Sequence, residues 1–391
     1  MQHYSKGSDM SIDIYDEAGI GSSTSGVSGG LLHPYSPKAK LLWKGSDSWK
    51  ECLELLAVAQ RAMERNASAW ETHDQSCSFD GPIVLRRADL YYYVSFRGIL
   101  KPATTEMKVE TLMENAKNCL TNCPLEAMDE HAAKCLAPNI IAPAGFAIYM
   151  PLAMNIHPKR YLQALFLACQ NFADEASSSA NAKIDIRFHE KHVNTLLELG
   201  GDYDAVVVCL GAKVGMLPEL SGNLPLRACR GVIAQLELPT NIVECCINSP
   251  SILSDAWLAF QGPRSLLMGS TWDWGSKNYS PRVLPEEASK AVSDLLPKAS
   301  AVFPTIKKWE FVKARAGIRA MPPSTAAGSL PLLGCVDTNC RYWLVGGLGS
   351  RGLLYHGLLG KLIAQAVISD DEAVIPSELT SWKRMAIWKQ N

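Results

Sequence analysis

A run of glycines near the C-terminus has the spacing of a nucleotide-binding turn. Gly347-Leu-Gly349-Ser-Arg-Gly352 follows the apolar segment Tyr342-Trp-Leu-Val345 and precedes a helical pattern that extends to about residue 368. A dinucleotide fingerprint also requires a following strand with an acidic end, within roughly 30 residues. Here the helix leads into Ser369-Asp-Asp-Glu instead, so we do not interpret the motif as a diphosphate site. Two interpretations stay open: a tight packing turn, or a helix N-terminus that stabilises a negatively charged ligand.

Two acidic residues end the first strand that the sequence predicts. Ser11-Ile-Asp-Ile-Tyr15 alternates polar and apolar residues, and Asp16 and Glu17 follow it, ahead of a Gly- and Ser-rich loop at 18–30. An acidic residue in this position can accept hydrogen bonds from the ribose of an adenine nucleotide. Asp16 is the first choice and Glu17 the second. Solvated acidic pairs are common at strand ends, so the pair has weight only together with a loop whose backbone can approach a ligand.

The histidines and cysteines do not form a metal-binding pattern. The 12 cysteines include no CxxC pair, and His189-Glu-Lys-His192 lacks the HExxH spacing of zinc enzymes. We expect no metal site, and we expect the cysteines to be reduced.

Composition excludes several classes of protein. The chain has 391 residues, with 38 Lys plus Arg against 39 Asp plus Glu. Because these charges balance, the chain has no overall positive electrostatic field that would attract DNA. An RNA partner would need a local basic patch. The longest uncharged run, 136–158, contains prolines and asparagines that rule out a membrane span. No secretory signal pattern is visible. We expect a soluble intracellular protein of the cytoplasm or of an organelle such as a plastid.

The apolar patterns predict a chain with two domains. Amphipathic helices are expected at 48–63, 105–116, 124–135, 159–173 and 285–296, and a strand pair at 82–96. The apolar segment 204–210 predicts a strand covered on both faces. Alternating segments between 230 and 271 predict an antiparallel sheet in a second domain.

Five segments in a fixed order resemble the D-amino-acid oxidase family of FAD enzymes. They are Ile12-Asp-Ile-Tyr-Asp16, the loop at 24–35, Asp204-Ala-Val-Val-Val-Cys-Leu-Gly-Ala212, Ala316-Gly-Ile-Arg-Ala-Met-Pro-Pro323 with Leu330-Pro-Leu-Leu-Gly334, and Gly346 to Gly352. Within the family, the chain most resembles the FAD domain of the bifunctional tRNA 5-methylaminomethyl-2-thiouridine biosynthesis protein. The resemblance implies an α/β fold: a Rossmann-like FAD-binding domain (1–80, 140–228 and 312–391) interleaved with an α+β, antiparallel-sheet substrate domain (81–139 and 229–311).

The resemblance also implies roles for individual residues. Arg319 would clamp a substrate carboxylate, since a guanidinium fork pairs with two oxygens at once. His33 and Trp272 are weaker candidates for lining the substrate pocket. The residues that would contact FAD are Asp16 or Glu17 at the ribose, Gly26, Ser28, Gly29 and Gly30 at the diphosphate and flavin, Gly211 and Ala212 near the adenine half, and Gly346, Gly347, Gly349, Arg351 and Gly352 at the pyrimidine edge of the flavin. Arg351 would also support catalysis there. Judged without the family, Arg319 would be taken for a surface ion-pairing residue.

The family pattern begins with a strand, a GxGxxG turn and a helix ahead of the Ile12 strand, and here only about ten residues precede that strand. We therefore expect an N-terminally shortened chain that lacks this first strand and turn. A truncated, non-catalytic form that does not hold FAD is the alternative to an enzyme.

The resemblance implies oxidation of a C–N bond, in which the α C–H of an amine passes as hydride to FAD. The substrate would be a small carboxylated amine, such as an amino acid or a glycine- or sarcosine-like compound. It could equally be the carboxymethylaminomethyl group on the wobble uridine of a modified tRNA. The oligomeric state is not predicted.

Overall fold

A computed structural model describes residues 9–66, 98–179, 183–242, 249–325, 328–339 and 341–385. The strand pair predicted at 82–96 lies outside the described residues. Within them, the α-helices are α1 (Thr24–Val27), α2 (Gly45–Arg65), α3 (Glu106–Ala116), α4 (Glu130–Leu136), α5 (Pro158–Ser179), α6 (Pro285–Ser300), α7 (Gly352–Ser369) and α8 (Ser377–Thr380).

The strands fall into one large sheet and several small ones. In the described part of the chain the large sheet has the order β13-β9-β12-β11-β10-β3-β5-β4 and is antiparallel except at β10-β3. Its strands are β3 (Ile99–Pro102), β4 (Glu126–Asp129), β5 (Phe146–Met150), β9 (Arg227–Glu237), β10 (Ser251–Ile252), β11 (Trp257–Phe260), β12 (Ser265–Gly269) and β13 (Glu310–Met321).

The small sheets contain two further parallel pairs. β1 (Met10–Asp16) runs parallel to β7 (Ile184–Glu190), and β8 (Val206–Val208) runs parallel to β15 (Tyr342–Gly346). β14 (Leu332–Asp337) completes the second group, and β2 (Leu31–Leu32) pairs with β6 (Met154–Asn155). The predicted mixed α/β fold is confirmed.

One core forms around α2, and its stripe of buried residues explains why this segment is helical. Trp49, Cys52, Leu56 and Ala59 recur at spacings of three and four, and all are buried, so α2 presents one apolar face to α5 and α7. Helix α7 is long and apolar enough to span a membrane by length and composition alone. Six of its residues are buried, and it packs against α2 and β15, so it serves as a core helix of this fold.

Two segments have a structure that differs from the prediction, and the predicted domain boundaries divide the large sheet. The segment 124–135 begins as strand β4, and only its second half is helical, because Asp129 caps α4 by accepting from the Ala132 amide. The segment 204–210 forms only the short strand β8, and Val207 is 40% exposed, so the face of β8 that carries Val207 is not covered as predicted. The domain boundaries stay a prediction, and the large sheet crosses three of them, because β5 lies beyond 140, β9 spans 228–229 and β13 spans 311–312.

Candidate active site

Arg319 lies near the end of β13 and is held by backbone and hydroxyl groups. Antiparallel pairing places it opposite Cys229 of β9. Its Nη1 donates to the Thr271 carbonyl oxygen at 3.3 Å, and its Nη2 donates to the Ser270 hydroxyl. Among the described residues no carboxylate pairs with this half-buried guanidinium, and burial lowers its pKa. A cation placed in this way can receive an anionic ligand without breaking an ion pair.

Two tryptophans extend from Arg319 along the surface. The Arg319 guanidinium lies over the Trp272 ring at 4.4 Å, and Trp272 stacks on Trp274 with ring centroids 6.0 Å apart and planes 25° apart. Arg227 covers Trp274 at 4.8 Å. The sequence pointed to Trp272 but missed Trp274 and Arg227. Their signal was the pair of Trp residues two positions apart just after a predicted strand, which places both rings on one side of an extended backbone.

Arg230 fixes the segment that carries these tryptophans. Arg230 is 2% exposed, and its Nε and Nη2 bind the two oxygens of Glu287 at 2.7 and 3.0 Å. The same guanidinium donates to three backbone carbonyls, at residues 278, 280 and 282. Its backbone pairs with Asp273 through two hydrogen bonds of 2.9 Å. One buried residue therefore holds both ends of the segment 272–282, the first end through its backbone and the second through its side chain.

The C-terminal glycine turn meets β13 beside Arg319. β15 ends at Gly346, and Gly347 and Gly349 have φ of +67° and +55°, a conformation that favours glycine. The Gly349 amide donates to the Ala320 carbonyl at 2.9 Å. α7 then begins at Gly352. The turn and Arg319 are thus neighbours through β13.

Arg351, the residue before α7, has its guanidinium turned toward the N-terminal loop. Its Nη1 donates to the Tyr35 carbonyl at 3.2 Å, and burial lowers its pKa. No described carboxylate pairs with it. His33 lies nearby and accepts from the Tyr35 amide through Nδ1 at 3.3 Å. Burial, followed by the positive charges of Arg351 and Lys101, lowers the pKa of His33 to about 3, so this imidazole is neutral.

The Gly- and Ser-rich loop contains the short helix α1, which docks on β13. The Thr24 hydroxyl donates to the Ile318 carbonyl and accepts from the Ile318 amide, both at 2.8 Å, one residue before Arg319. The loop glycines approach protein atoms: a Cβ on Gly26 would overlap the Gly21 carbonyl, one on Gly29 the Trp257 ring, and one on Gly30 the Ile156 carbonyl. Ser28 donates to the Ser25 carbonyl at 3.1 Å. Close packing of the chain on itself accounts for these glycines.

Asp16 and Glu17, at the end of β1, already make hydrogen bonds and ion pairs with other protein groups. Asp16 Oδ1 accepts from the Ala18 amide at 2.9 Å. Glu17 pairs with Lys213 and with His192 Nδ1, the latter at 2.7 Å. Asp16 therefore keeps an oxygen for a ribose, whereas both oxygens of Glu17 are engaged.

Gly211 and Ala212 lie in a 3₁₀ turn, Gly211–Met216, that follows β8 and contacts β13. Gly211 has φ of +55°, and a Cβ there would meet no atom within 4 Å. Glycine is needed at this position for backbone conformation rather than for space.

The residues around the turn fit a flavin ring. Within the described part of the chain, Arg351 offers a positive charge that no carboxylate pairs with, and no side chain caps the first amide groups of α7. Both features suit the electron-rich pyrimidine edge of a flavin, whose reduced form carries negative charge. In the described residues no three His, Cys, Asp or Glu side chains are grouped to hold a metal.

Comparison with known proteins identifies the family of this chain. The family model "DAO: FAD dependent oxidoreductase" matches residues 3–366. The chain belongs to this family. Its members use FAD, so the chain is an FAD-dependent oxidoreductase by family. A search of curated protein sequences finds no match.

Solved structures share the fold of this DAO-family chain. Glycine oxidase from Geobacillus kaustophilus has 19% sequence identity and a TM-score of 0.66, with 96% of this chain and 92% of that chain covered. Iminodiacetate oxidase from Chelativorans sp. has 18% identity and a TM-score of 0.60, with 94% and 91% covered. L-alpha-glycerophosphate oxidase from Mycoplasma pneumoniae, solved with FAD bound, has 14% identity and a TM-score of 0.59, with 91% and 88% covered.

Proposed function

We propose that this protein oxidises the C–N bond of a carboxylated amine and that Arg319 binds the carboxylate. The observation that carries the proposal is the half-buried guanidinium of Arg319, which has no carboxylate partner in the described chain and adjoins the glycine turn. FAD, when bound, supplies the acceptor for the hydride that leaves the substrate.

Arg319 would act by orientation. Its contacts with Ser270, Thr271 and Trp272 hold the guanidinium in one position, so less conformational freedom is lost when a carboxylate binds. When Arg319 holds the carboxylate of the substrate, the adjacent amine carbon is held in one position. Such positioning raises the rate of the reaction at that carbon.

Arg351 and the start of α7 would hold the pyrimidine edge of the flavin and stabilise negative charge there. Gly346, Gly347, Gly349 and Gly352 shape this turn. We also propose Asp16 for the ribose, Gly26, Ser28, Gly29 and Gly30 for the diphosphate and flavin, and Gly211 and Ala212 for the adenine half. Glu17 is a poorer candidate because of its ion pairs. His33 would line the site next to Arg351 as a neutral imidazole.

The substrate class has two members that share an amine next to a carboxylate. Glycine oxidase and iminodiacetate oxidase are similar in fold, which supports a small amino acid or a glycine- or sarcosine-like amine. The second member is the carboxymethylaminomethyl group of a wobble uridine in tRNA. The exposed Trp272 and Trp274 beside Arg319 favour it, since bases stack on aromatic rings and on arginine.

The test is to add FAD to the purified chain, remove free FAD by gel filtration and record the visible spectrum. A retained flavin spectrum, followed by substrate-dependent formation of an imine-derived carbonyl product, supports the proposal. Absence of any retained flavin would contradict it and would favour the non-catalytic alternative. Glycine, sarcosine and a synthetic 5-carboxymethylaminomethyluridine nucleoside distinguish the two substrate members.

A further inference from the structure

Trp272 and Trp274 are unusually exposed for their residue type. Trp272 is 50% exposed and Trp274 is 44% exposed, although tryptophan is highly buried on average in folded proteins. They lie side by side, so they form one continuous aromatic surface. Adjacent exposed apolar surface of this kind marks a contact with a ligand or a partner.

This surface is rigidly supported from below. The two hydrogen bonds between Arg230 and Asp273 make residues 272–274 an extended strip beside β9, with both indoles on one side. The five side-chain hydrogen bonds of Arg230 fix the chain that follows the strip. On the other side of the strip, the Thr271 amide donates to the Val232 carbonyl at 3.1 Å. A platform fixed in this way loses little conformational entropy when it binds a ligand.

The tryptophan pair is continuous with the carboxylate position. Arg319 lies against Trp272 at one end, and Arg227 lies against Trp274 at the other. Arg227 is exposed, so its guanidinium can move off the Trp274 ring and stay in contact with water. Trp274 thereby offers a π-face beside Trp272, the ring that the guanidinium of Arg319 contacts.

We propose that Trp272 and Trp274 form a subsite for a planar ring that the substrate carries beyond its carboxylate. The inference rests on the proposed role of Arg319 and deepens it, because it selects carboxylated amines that bear an aromatic side chain or a nucleobase. Planar π-systems stack on indole and on guanidinium, whereas a saturated ring of the same size gains only apolar contact. The subsite therefore recognises ring planarity in addition to size.

The experiment measures binding without turnover. Acetate, cyclohexylacetate, phenylacetate and uracil-1-acetate each carry the carboxylate but no amine, so the FAD-supplemented protein binds them unchanged, and calorimetry gives each Kd. We expect at least one of the two planar compounds to bind about tenfold more tightly than cyclohexylacetate. A stronger gain for phenylacetate assigns the subsite to aromatic side chains, and a stronger gain for uracil-1-acetate assigns it to nucleobases.

Two variants locate the effect. Trp274→Ala is expected to remove the planar advantage, while Phe311→Ala, which deletes another exposed aromatic residue of the large sheet, is expected to leave it unchanged. Equal binding of the planar and saturated rings, or an unchanged advantage in Trp274→Ala, would overturn the subsite. Failure of the proposed function looks different: Arg319→Lys would then leave the affinity for all four compounds unchanged, whatever the ring.

Discussion

Gly231 lies directly against the guanidinium of Arg319. A Cβ at position 231 would approach Arg319 Cζ to 2.6 Å and would overlap its terminal nitrogens. The two residues lie on neighbouring strands, with Gly231 two positions along β9 from Cys229, the partner of Arg319. The absence of a side chain at 231 thus creates the space in which the guanidinium lies.

Gly231→Ala is expected to displace Arg319 and weaken carboxylate binding. The φ of Gly231 is one that alanine adopts readily, so the effect comes from the overlap and not from the backbone. Losing one charged hydrogen bond predicts a rise in acetate Kd of about tenfold. Gly215→Ala is the matched control, since a Cβ there meets nothing within 4 Å. Similar Kd values for the two variants would contradict the packing argument.

Glu287→Ala is expected to destabilise the fold. It leaves the buried Arg230 without its carboxylate, and breaking such a pair costs about 3 kcal/mol of unfolding free energy. Urea denaturation measures the loss. Glu286→Ala, which removes the exposed neighbour of Glu287 in α6, provides the control and is expected to change stability by less than about 1 kcal/mol. Equal losses would show that Arg230 does not depend on Glu287.

His33 is expected to make stability fall in acid. Its pKa is about 3 in the folded protein, against an ordinary value of 6.5. Between these values the unfolded chain binds a proton that the folded chain does not. The stability that His33 contributes is therefore complete above pH 6.5 and is lost as the pH falls toward 3.

In His33→Gln, the slope of unfolding free energy against pH is expected to decrease by up to about 1.4 kcal/mol per pH unit in this range. Urea titrations at several pH values give the slope. His131→Gln, a change at an exposed histidine, is expected to keep the wild-type slope. An unaltered slope in His33→Gln would mean that His33 binds its proton equally well in the folded and the unfolded chain, which would contradict the lowered pKa.

Arg351→Met is expected to weaken FAD binding. Methionine fills similar space without the charge, so the change removes an electrostatic contact worth about 1.5–3 kcal/mol, or roughly tenfold to a hundredfold in Kd. Quenching of FAD fluorescence on binding measures the constant. Arg65→Met removes a surface arginine that pairs with Glu175, and its Kd for FAD is expected to match the wild type. Identical constants for both variants would remove Arg351 from the cofactor site.

The sequence predicted the mixed fold and the glycine turn because both depend on local patterns. The strand at 342–345, the glycines and the following helix are adjacent in sequence, and so are the strand and acidic residues at 11–17. The surroundings of Arg319 could not be predicted in this way. Gly231 reaches Arg319 through pairing of β9 with β13, and Ser270 reaches it through pairing of β12 with β9. Strand pairing over such separations is not encoded in any one segment.

The loop glycines also depend on tertiary structure. A Gly- and Ser-rich loop predicts approach to a ligand, and the structure adds a second requirement for glycine, because a Cβ on Gly26, Gly29 or Gly30 would overlap the Gly21 carbonyl, the Trp257 ring or the Ile156 carbonyl. A glycine-rich composition indicates that the backbone closely approaches another group, and the tertiary structure determines which group that is.

The most direct test of the account is anaerobic reduction of bound FAD by a carboxylated amine. The FAD-supplemented protein is mixed with sarcosine, glycine or the 5-carboxymethylaminomethyluridine nucleoside, and the visible flavin absorbance is followed. The account predicts bleaching by at least one of these amines. In Arg319→Lys the amine concentration that gives half-maximal bleaching is expected to rise about tenfold or more. Lys313→Ala, which removes an exposed cation of the same strand, is expected to respond like the wild type. Bleaching that is equally strong with Arg319→Lys, or with amines that lack the carboxylate, would contradict it.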